Sequence, residues 1–391
     1  ERGKMMSFQY TDEQKKLKMR VRKFAEEKLA PIAPVVDTTL EISWDVVKLL
    51  ADEGLFRFVV PAEYGGVGIV APNLSIIREE LSRVCIQADD TFIMSAMGGL
   101  PVILFGTEKQ KQKYLPRVAK GEIIGSYSLT EESSGSDVAG IQTTAVLDGD
   151  HYILNGKKCY ASNGGGAEMC SIYAKTDPSL GGRGISAFVM DAKTPQPGLT
   201  TKIMNIVASH PCYEIILNNY RLPKENMIGE PGKGMRIALT TLDVCRCSVG
   251  ASTVGIAQAA YEEALKFAQA RQAFGQPIVE FQAIQLKLAD MVTNIQAARL
   301  LVSQSAAMTD INHPAKTIGR ASMAKLFATE MASRVVDDAV QILGGSGLIE
   351  GCKIDRLYRA VRAPRIYEGT SEIQRLTIAR SLLKGEIGTG D

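Results

Sequence analysis

Histidine and tryptophan are scarce in this 391-residue chain, at three and one, and no two cysteines have the Cys-x-x-Cys spacing of a metal or redox motif. His151, His210 and His313 stand far apart, so no metal is expected. The seven cysteines, at 85, 159, 170, 212, 245, 247 and 352, are odd in number and scattered. They read as reduced thiols of an intracellular compartment, not as a disulfide framework. Charge of one sign is also missing: 45 basic against 43 acidic residues leave +2, which gives no field for nucleic acid or an anionic membrane. No run approaches the roughly 20 apolar residues of a membrane span, and no signal-peptide apolar core is present. Residues 1–5 read as a tail ahead of a start at Met5 or Met6. These absences predict a soluble protein of a prokaryotic cytoplasm or a mitochondrial matrix, with neither nucleic acid nor membrane as partner.

What is present is the mix of a globular chain, 45% hydrophobic and 23% charged, long enough to need two or three packed units. Thr11-Asp12-Glu13-Gln14 is a capping box ahead of Leu17, Val21 and Phe24 at helical spacing, until Pro31 and Pro34 stop the segment. Helical patterns return over 43–53, 73–88, 90–99 and 108–119. Gly65-Gly66-Val67-Gly68 lies between them in no strand-to-helix context, so it reads as a turn and not as a dinucleotide fingerprint. From residue 122 short β-prone segments take over, at 124–130, 143–147, 151–154, 171–174, 185–189, 199–203 and 213–217, with Asp-Gly, Asn-Gly, Gly-Gly and Pro-Gly between them. That spacing predicts a small antiparallel barrel or sandwich, not a parallel nucleotide-binding sheet.

Helical patterning resumes after Gly232-Lys233-Gly234, over 251–274, 282–307 and 321–343, the last capped by Gly344-Gly345; a final helix starts at Thr370. Four long helices make a bundle. The expected fold class is α+β and multidomain: an N-terminal α-helical domain over 6–121, a central antiparallel β-barrel or sandwich domain over 122–232 and a C-terminal four-helix bundle over 233–391.

Within that last part, Tyr367-Glu368-Gly369-Thr370 puts a carboxylate just before a glycine and a helix N-cap. Such a carboxylate is either aimed at something or part of a surface turn, and these four residues alone leave both open. Three further segments change the weighting: Tyr127-Ser128-Leu129-Thr130-Glu131 with Ser136-Asp137, Asn155-Gly156-Lys157-Lys158 with Ala161-Ser162-Asn163, and Arg271-Gln272-Ala273-Phe274-Gly275. Together with Gln341-Ile342-Leu343-Gly344-Gly345 and the Glu368 stretch they resemble the acyl-CoA dehydrogenase family, in order and over residues 8–383.

The resemblance implies FAD as cofactor, an acyl thioester as substrate, an electron-transfer flavoprotein as acceptor and a homotetramer. Leu129 and Thr130, with Tyr127, match positions contacting the flavin ring, and Ser136 matches one touching both cofactor and acyl-CoA. Tyr160 and Ser162 match the family's stacking aromatic, often Trp, and its hydrogen-bonding Ser or Thr. Tyr for Trp keeps a stackable ring. Arg271 and Phe274 match a pair that holds the cofactor of a neighbouring subunit, and a guanidinium fork suits a pyrophosphate. Without the resemblance Arg271 would read as a helix-end surface arginine. Gln341, Gly345, Thr370 and Glu372 complete the implied cofactor contacts. Glu368 matches the base that takes the α-proton, with Tyr367 and Gly369 beside the substrate. Members that carry the base elsewhere place it where this chain has Cys245, which leaves Glu368.

Arg246 matches an arginine near the CoA moiety and Asp243 a backbone-orienting residue; an ordinary helix ion pair is the competing reading for both. The chain departs from the family at Ile206–Cys212, where Val207 stands in place of an expected arginine. It also carries Asp89-Asp90 where the family lines the distal acyl pocket, and these acids read either as an exposed N-cap or as partners of a polar, cationic or cyclic acyl group. Two further possibilities remain in view: the same chemistry on an acyl or aminoacyl group carried by a carrier protein, and a non-catalytic binding or assembly protein of the same fold.

Overall fold

Helix starts follow local capping chemistry. Thr11 Oγ1 accepts from the Gln14 amide at 3.2 Å while Gln14 Oε1 accepts from the Thr11 amide, closing the expected box on α1 (Asp12–Phe24). The computed structural model describes residues 10–309, 311 and 313–387, so the tail at residues 1–5 lies outside it. After α1 come α2 (Ala33–Val36), α3 (Trp44–Asp52), α4 (Ala71–Ser82), α5 (Ile86–Phe105) and α6 (Glu108–Ala119). Eight strands follow: β1 (Gly125–Ser128), β2 (Thr144–Asp148), β3 (His151–Ser162), β4 (Met169–Lys175), β5 (Ile185–Met190), β6 (Leu199–Ile203), β7 (Cys212–Pro223) and β8 (Met227–Ile228). The remainder is α7 (Gly234–Ala270), a small hairpin of β9 (Gln272–Ala273) and β10 (Gln276–Pro277), then α8 (Gln282–Met308), α9 (Ile318–Leu343), α10 (Lys353–Arg362) and α11 (Ser371–Leu383).

The chain divides into two compact units. A helical unit takes the described residues within Glu1–Thr38, Val70–Ile86 and Val244–Asp391, and a mixed unit takes Thr39–Ile69 and Gln87–Asp243. In the helical unit α8, α9, α10 and the later part of α7 pack about an alanine-rich core that includes Ala257, Ala260, Ala264, Ala324, Ala328 and Ala332, and α11 packs on α9. Small side chains let the helices approach closely. α1 is tied to α4 by charge: Glu79 and Glu80 are 4% and 0% exposed. Arg22 grips Glu80 side-on through Nε and Nη2, at 2.8 and 2.9 Å, and Lys18 and Arg299 each reach Glu79 at 3.0 Å. Burial alone would raise the Glu79 carboxyl, but Arg299 and Lys18 outweigh it and hold the group below the usual range.

The helix expected over 73–88 is interrupted. α4 ends at Ser82, whose hydroxyl donates to the Ser252 carbonyl at 2.8 Å, and Arg83 is pulled onto Glu26 and Glu262. These tertiary bonds outweigh helix propensity over the next three residues.

In the mixed unit the strands form one sheet in the order β6-β7-β3-β2-β4-β5-β8, with β1 added beside β4. Pairing is antiparallel except for β1 with β4 and the single β2–β4 pair Thr144–Lys175. β1 enters from α6 and not through a hairpin, so no tight turn forces it antiparallel. β3 and β7 run for 12 residues each, far beyond the short segments expected, because Asn155-Gly156 is no turn. It sits inside β3 opposite a bulge at Asn218-Asn219, where the Asn155 and Asn219 side chains bond each other and Asn219 takes φ 51°.

α5 presses on this sheet at glycines: a Cβ on Gly98 would lie 2.7 Å from the Ser126 amide nitrogen and 2.8 Å from the Met169 carbonyl oxygen. By length and composition α5 could cross a membrane, which the sequence reading missed, but 83% of its apolar stretch is buried in the protein. It is a core helix.

Glu80→Ala, which removes the buried carboxylate that holds the exposed Arg22 and the half-buried Lys18 of α1 against α4, is expected to cost about 2 kcal/mol in thermal or urea denaturation. Asp52→Ala, which removes only the exposed Lys48–Asp52 pair, should cost less than about 0.5 kcal/mol in the same assay.

Candidate active site

In the mixed unit the residues expected to face a flavin cluster around the end of β1. Leu129 and Thr130 leave the strand there, Leu129 at 7% exposure and Thr130 half-buried. Their carbonyls are taken up from β3: Lys158 Nζ donates to Leu129 O at 3.0 Å and the Cys159 amide to Thr130 O at 3.0 Å. Lys158 has no exposed surface and is paired to the buried Glu131 at 2.7 Å. Glu131 is bonded on all sides, by the Thr143 hydroxyl and amide on Oε1 and the Gln142 amide on Oε2. Burial pushes the Lys158 ammonium down to about 8 against the pull of Glu131. For Glu131 burial acts upward, but Lys158 and Thr143 outweigh it and hold the carboxyl below its usual range. A buried charge pair thus fixes the segment Leu129–Glu131.

Tyr160 lies where β3 carries a bulge: Lys158 pairs with Ile215 and Ala161 with Tyr213, so Cys159 and Tyr160 together oppose Glu214. The bulge puts Tyr160 at φ 57° with 57% of its surface exposed, its amide donating to Met204 Sδ at 3.3 Å. Ser162, two residues on, is half-buried, and Asn163 is fully buried with φ 57° and neither side-chain amide atom bonded among the described residues. Ser136 is exposed in the turn after Glu131. A re-aimed aromatic beside a buried amide with unspent donor and acceptor suits a ligand that offers both a ring face and polar edges, so these residues fit a flavin.

Asp89 and Asp90 correct one expectation. They lie inside α5, which begins at Ile86, and Asp89 is 3% exposed, so they are no exposed N-cap. With burial acting first, the Asp90 charge helps push the Cys212 thiol up to about 12. Asp243 is half-buried on α7. Val207 is 65% exposed beside the buried Ser209 and His210.

In the helical unit the Glu368 stretch forms the turn into α11. Glu368 takes φ 51° and Gly369 φ 90°, the first a conformation that costs a non-glycine residue of order 1 kcal/mol and persists only when its surroundings fix it. They do: Gln374 Nε2 donates to the carbonyls of Glu368 (3.0 Å) and Gly369 (2.9 Å), Lys325 Nζ donates to Gly369 O (2.7 Å), and Thr370 Oγ1 caps the helix through the Ile373 amide. Ser371 and Arg365 are held in turn by Glu330, at 2.6 and 3.1 Å. Tyr367 and Glu368 are half-buried and Glu372 is exposed. Arg246 is 6% exposed, so it is no surface helix charge, and the neighbouring Cys245 thiol is pushed well above its usual range by burial first and Glu368 second.

Arg271 is exposed where α7 ends, the position the residues alone suggested. Its carbonyl accepts from Ile278 and opens the β9–β10 hairpin, whose tip is Phe274-Gly275 at φ 50° and 83°. Phe274 is 96% exposed and braced edge-on by Phe281, ring centres 6.1 Å apart. Gln341 and Gly345 are exposed at the end of α9, and a Cβ at Gly345 would meet nothing within 4 Å.

Sequence reasoning assigned no role to Lys158, Glu131, Lys325 or Gln374. A signal existed for Lys325: it interrupts an alanine stripe at 321, 324, 328 and 332 with a charge. Among the described residues no cluster of three or more His, Cys, Asp or Glu could hold a metal.

Three family models match successive parts of the chain: Acyl-CoA dehydrogenase, N-terminal domain, over residues 11–122; the middle domain over 126–220; and the C-terminal domain over 232–383. A curated relative, the 3-(aryl)acrylate reductase of Clostridium sporogenes, is 42% identical over 381 residues, covering 96% of this chain and 100% of the relative. The mitochondrial short-chain specific acyl-CoA dehydrogenase of Bos taurus is 41% identical over 375 residues, covering 94% and 89%. Among solved structures, butyryl-CoA dehydrogenase from Megasphaera elsdenii superposes with a TM-score of 0.90 at 35% identity, over 97% of this chain and 100% of that one.

Lys158→Met, which leaves Glu131 buried without its cation, is expected to cost roughly 3 kcal/mol in denaturation. Lys158→Met combined with Glu131→Leu should cost less than the single change, and the coupling is read from a double-mutant cycle.

Proposed function

The chain belongs to the acyl-CoA dehydrogenase family, and from that premise we propose that it removes the α-proton of an acyl-CoA thioester with Glu368 as the base. The observation that carries the proposal is the turn at Glu368: a strained carboxylate residue whose own carbonyl and the next are held from α11 and α9. FAD, when bound, supplies the acceptor for the β-hydride, so the substrate leaves oxidised by two electrons as the α,β-unsaturated thioester. An electron-transfer flavoprotein is the proposed onward acceptor.

The chain's own residues divide the work. A carboxylate of ordinary pKa, about 4.3, is a weak base for a carbon acid, so the substrate has to be acidified as well as the base aimed. The backbone amide of Glu368 is the proposed donor to the thioester carbonyl, where it stabilises the charge that develops as the α-proton leaves. Cys245, buried and held protonated, offers no competing base. Tyr367 and Gly369 would border the thioester, Arg246 and Asp243 the CoA moiety, and Ser136 both ligands. Tyr127, Leu129, Thr130, Tyr160, Ser162, Thr370 and Glu372 would hold the flavin. Asp89 and Asp90 stay proposed as polar residues of the distal acyl pocket, which the placement of both in α5, Asp89 buried and Asp90 half-buried, supports.

A homotetramer is proposed too. Arg271 and Phe274, exposed on a hairpin tip, with Gln341 and Gly345 open at the end of α9, suit contacts to a neighbouring subunit's cofactor. The division at 6–121, 122–232 and 233–391 remains the proposed domain reading, supported by the limits of the three family models. The burial of α5 supports a soluble protein, and a prokaryotic cytoplasm or mitochondrial matrix is the proposed location. The carrier-protein alternative has less support, since two of the relatives named above carry acyl-CoA or butyryl-CoA in their names.

Glu368→Gln should keep the yellow cofactor and stop its bleaching by any acyl-CoA under anaerobic titration. Unchanged bleaching would move the base elsewhere. A colourless protein that takes up no FAD would instead support a binding role, and bleaching only by loaded carrier would favour the carrier alternative. Arg271→Ala is expected to weaken FAD retention at least tenfold on gel filtration, worth about 1.4 kcal/mol or more. The denaturation midpoint of the chain should stay unchanged, since Arg271 is exposed.

A further inference from the structure

The buried face of α9 carries one lysine among alanines. Lys325 has no exposed surface and stands between Ala321, Ala324, Ala328 and Ala332. Taking an ammonium out of water is costly, and an apolar residue of similar volume would fill the same space at less cost. Its one hydrogen bond among the described residues, to Gly369 O at 2.7 Å, goes to a carbonyl that the neutral amide of Gln374 already serves at 2.9 Å. Neither packing nor the carbonyl therefore accounts for a charge at this place.

What the charge faces does account for it. Burial lowers the Lys325 ammonium to about 8, and the group that opposes burial most is Glu368, ahead of Glu330 and Glu372. Arg246, from α7, acts in the same direction as burial and marks a second cation nearby. The two α7 thiols within reach of Glu368, Cys245 and Cys247, are pushed up, by burial before all else, and remain neutral. Glu330, on α9, is already engaged by Ser371 and Arg365. Glu372, on α11, is exposed.

We propose that Lys325 is a positioning residue for the base: its ammonium pins the carbonyl that follows Glu368 and brings a positive charge near the Glu368 carboxylate, favouring the ionised base through the acidic and neutral range in which the ammonium keeps its proton. The proposal rests on the reading of Glu368 as base. The ammonium touches neither substrate nor cofactor in this role; it acts through the Glu368–Gly369 turn. Proton uptake by Glu368 during α-proton removal then takes place against a nearby cation, which lowers the driving force of the step but keeps the base available. Aiming and availability are thereby met by one side chain.

The test compares Lys325→Gln, which keeps a donor for Gly369 O and removes the charge, with Lys325→Arg, which keeps both. For each FAD-loaded protein the exchange of the acyl-CoA α-proton in deuterated buffer is followed by NMR from pH 5 to 9, beside kcat, KM, FAD content and the denaturation midpoint. Removing a cation raises a neighbouring carboxyl's pKa, so in Lys325→Gln the acidic limb of exchange and of kcat should move up by about one pH unit or more. KM and FAD content should stay near those of the parent, and Lys325→Arg should restore the parent limb. An unmoved limb in Lys325→Gln overturns the proposal. So does a loss that is equal at every pH, or a glutamine variant that fails to fold or to keep FAD, since each makes the role structural only. Glu368→Gln run alongside separates the two readings: if it still exchanges the α-proton, the base assignment itself fails, whereas an inactive Glu368→Gln with an unmoved Lys325→Gln limb removes Lys325 alone.

Discussion

Two ammonium groups with no exposed surface, those of Lys158 and Lys325, each donate to a main-chain carbonyl of a segment proposed to do chemistry, Leu129 in one unit and Gly369 in the other. Burying a cation is costly, and the cost forces further structure around it. Around Lys158 it requires Glu131, and around Glu131 it requires the Thr143 hydroxyl and the amides of Gln142 and Thr143. Around Lys325 it sets the geometry of a turn whose carbonyls also need Gln374. In both places the ammonium ends on a backbone carbonyl, Leu129 O or Gly369 O, so what it fixes is the path of the chain.

That fixing matters because the path is strained. Among the described residues five non-glycines take positive φ: Tyr160, Asn163, Asn219, Phe274 and Glu368. Asn219 is accounted for by the β3–β7 bulge and its bonds to Asn155. Tyr160, Phe274 and Glu368 are a tyrosine on a bulge, a phenylalanine on a hairpin tip and a carboxylate on a helix-entry turn, all residues proposed to meet cofactor or substrate. Strain held in place by surrounding bonds keeps a side chain aimed before the ligand arrives, so less ordering has to accompany binding. A glycine at any of these positions would relax the backbone and lose the side chain that needs aiming.

The sequence was legible where local rules suffice. The Thr11 box, the limits of α6 and the β6 segment all appear as expected. It misled where tertiary contacts prevailed: Asn155-Gly156 looked like a turn and lies inside β3, residues 83–85 broke a helix that periodicity continued, and Asp89-Asp90 looked like a cap and lie inside α5. Each miss has one cause. A local signal was real, but a bond or burial contributed from far along the chain was worth more than the local preference.

Residue types and their order determined by themselves the helix, strand, helix succession, the absence of a metal-ligand pattern, and the resemblance that pointed to Glu368, because helical periodicity, turn chemistry and motif spacing are written within windows of tens of residues. Only the tertiary structure decided that Tyr160 sits on a bulge, that Glu368 is held in a left-handed turn, and that Lys158 and Lys325 lie buried against the carbonyls of Leu129 and Gly369. The pairs Lys158–Leu129 and Lys325–Gly369 are separated by 29 and 44 residues. Burial, which turns an ordinary lysine into a costly and directed charge, depends on everything packed around it and cannot be read from its neighbours in sequence.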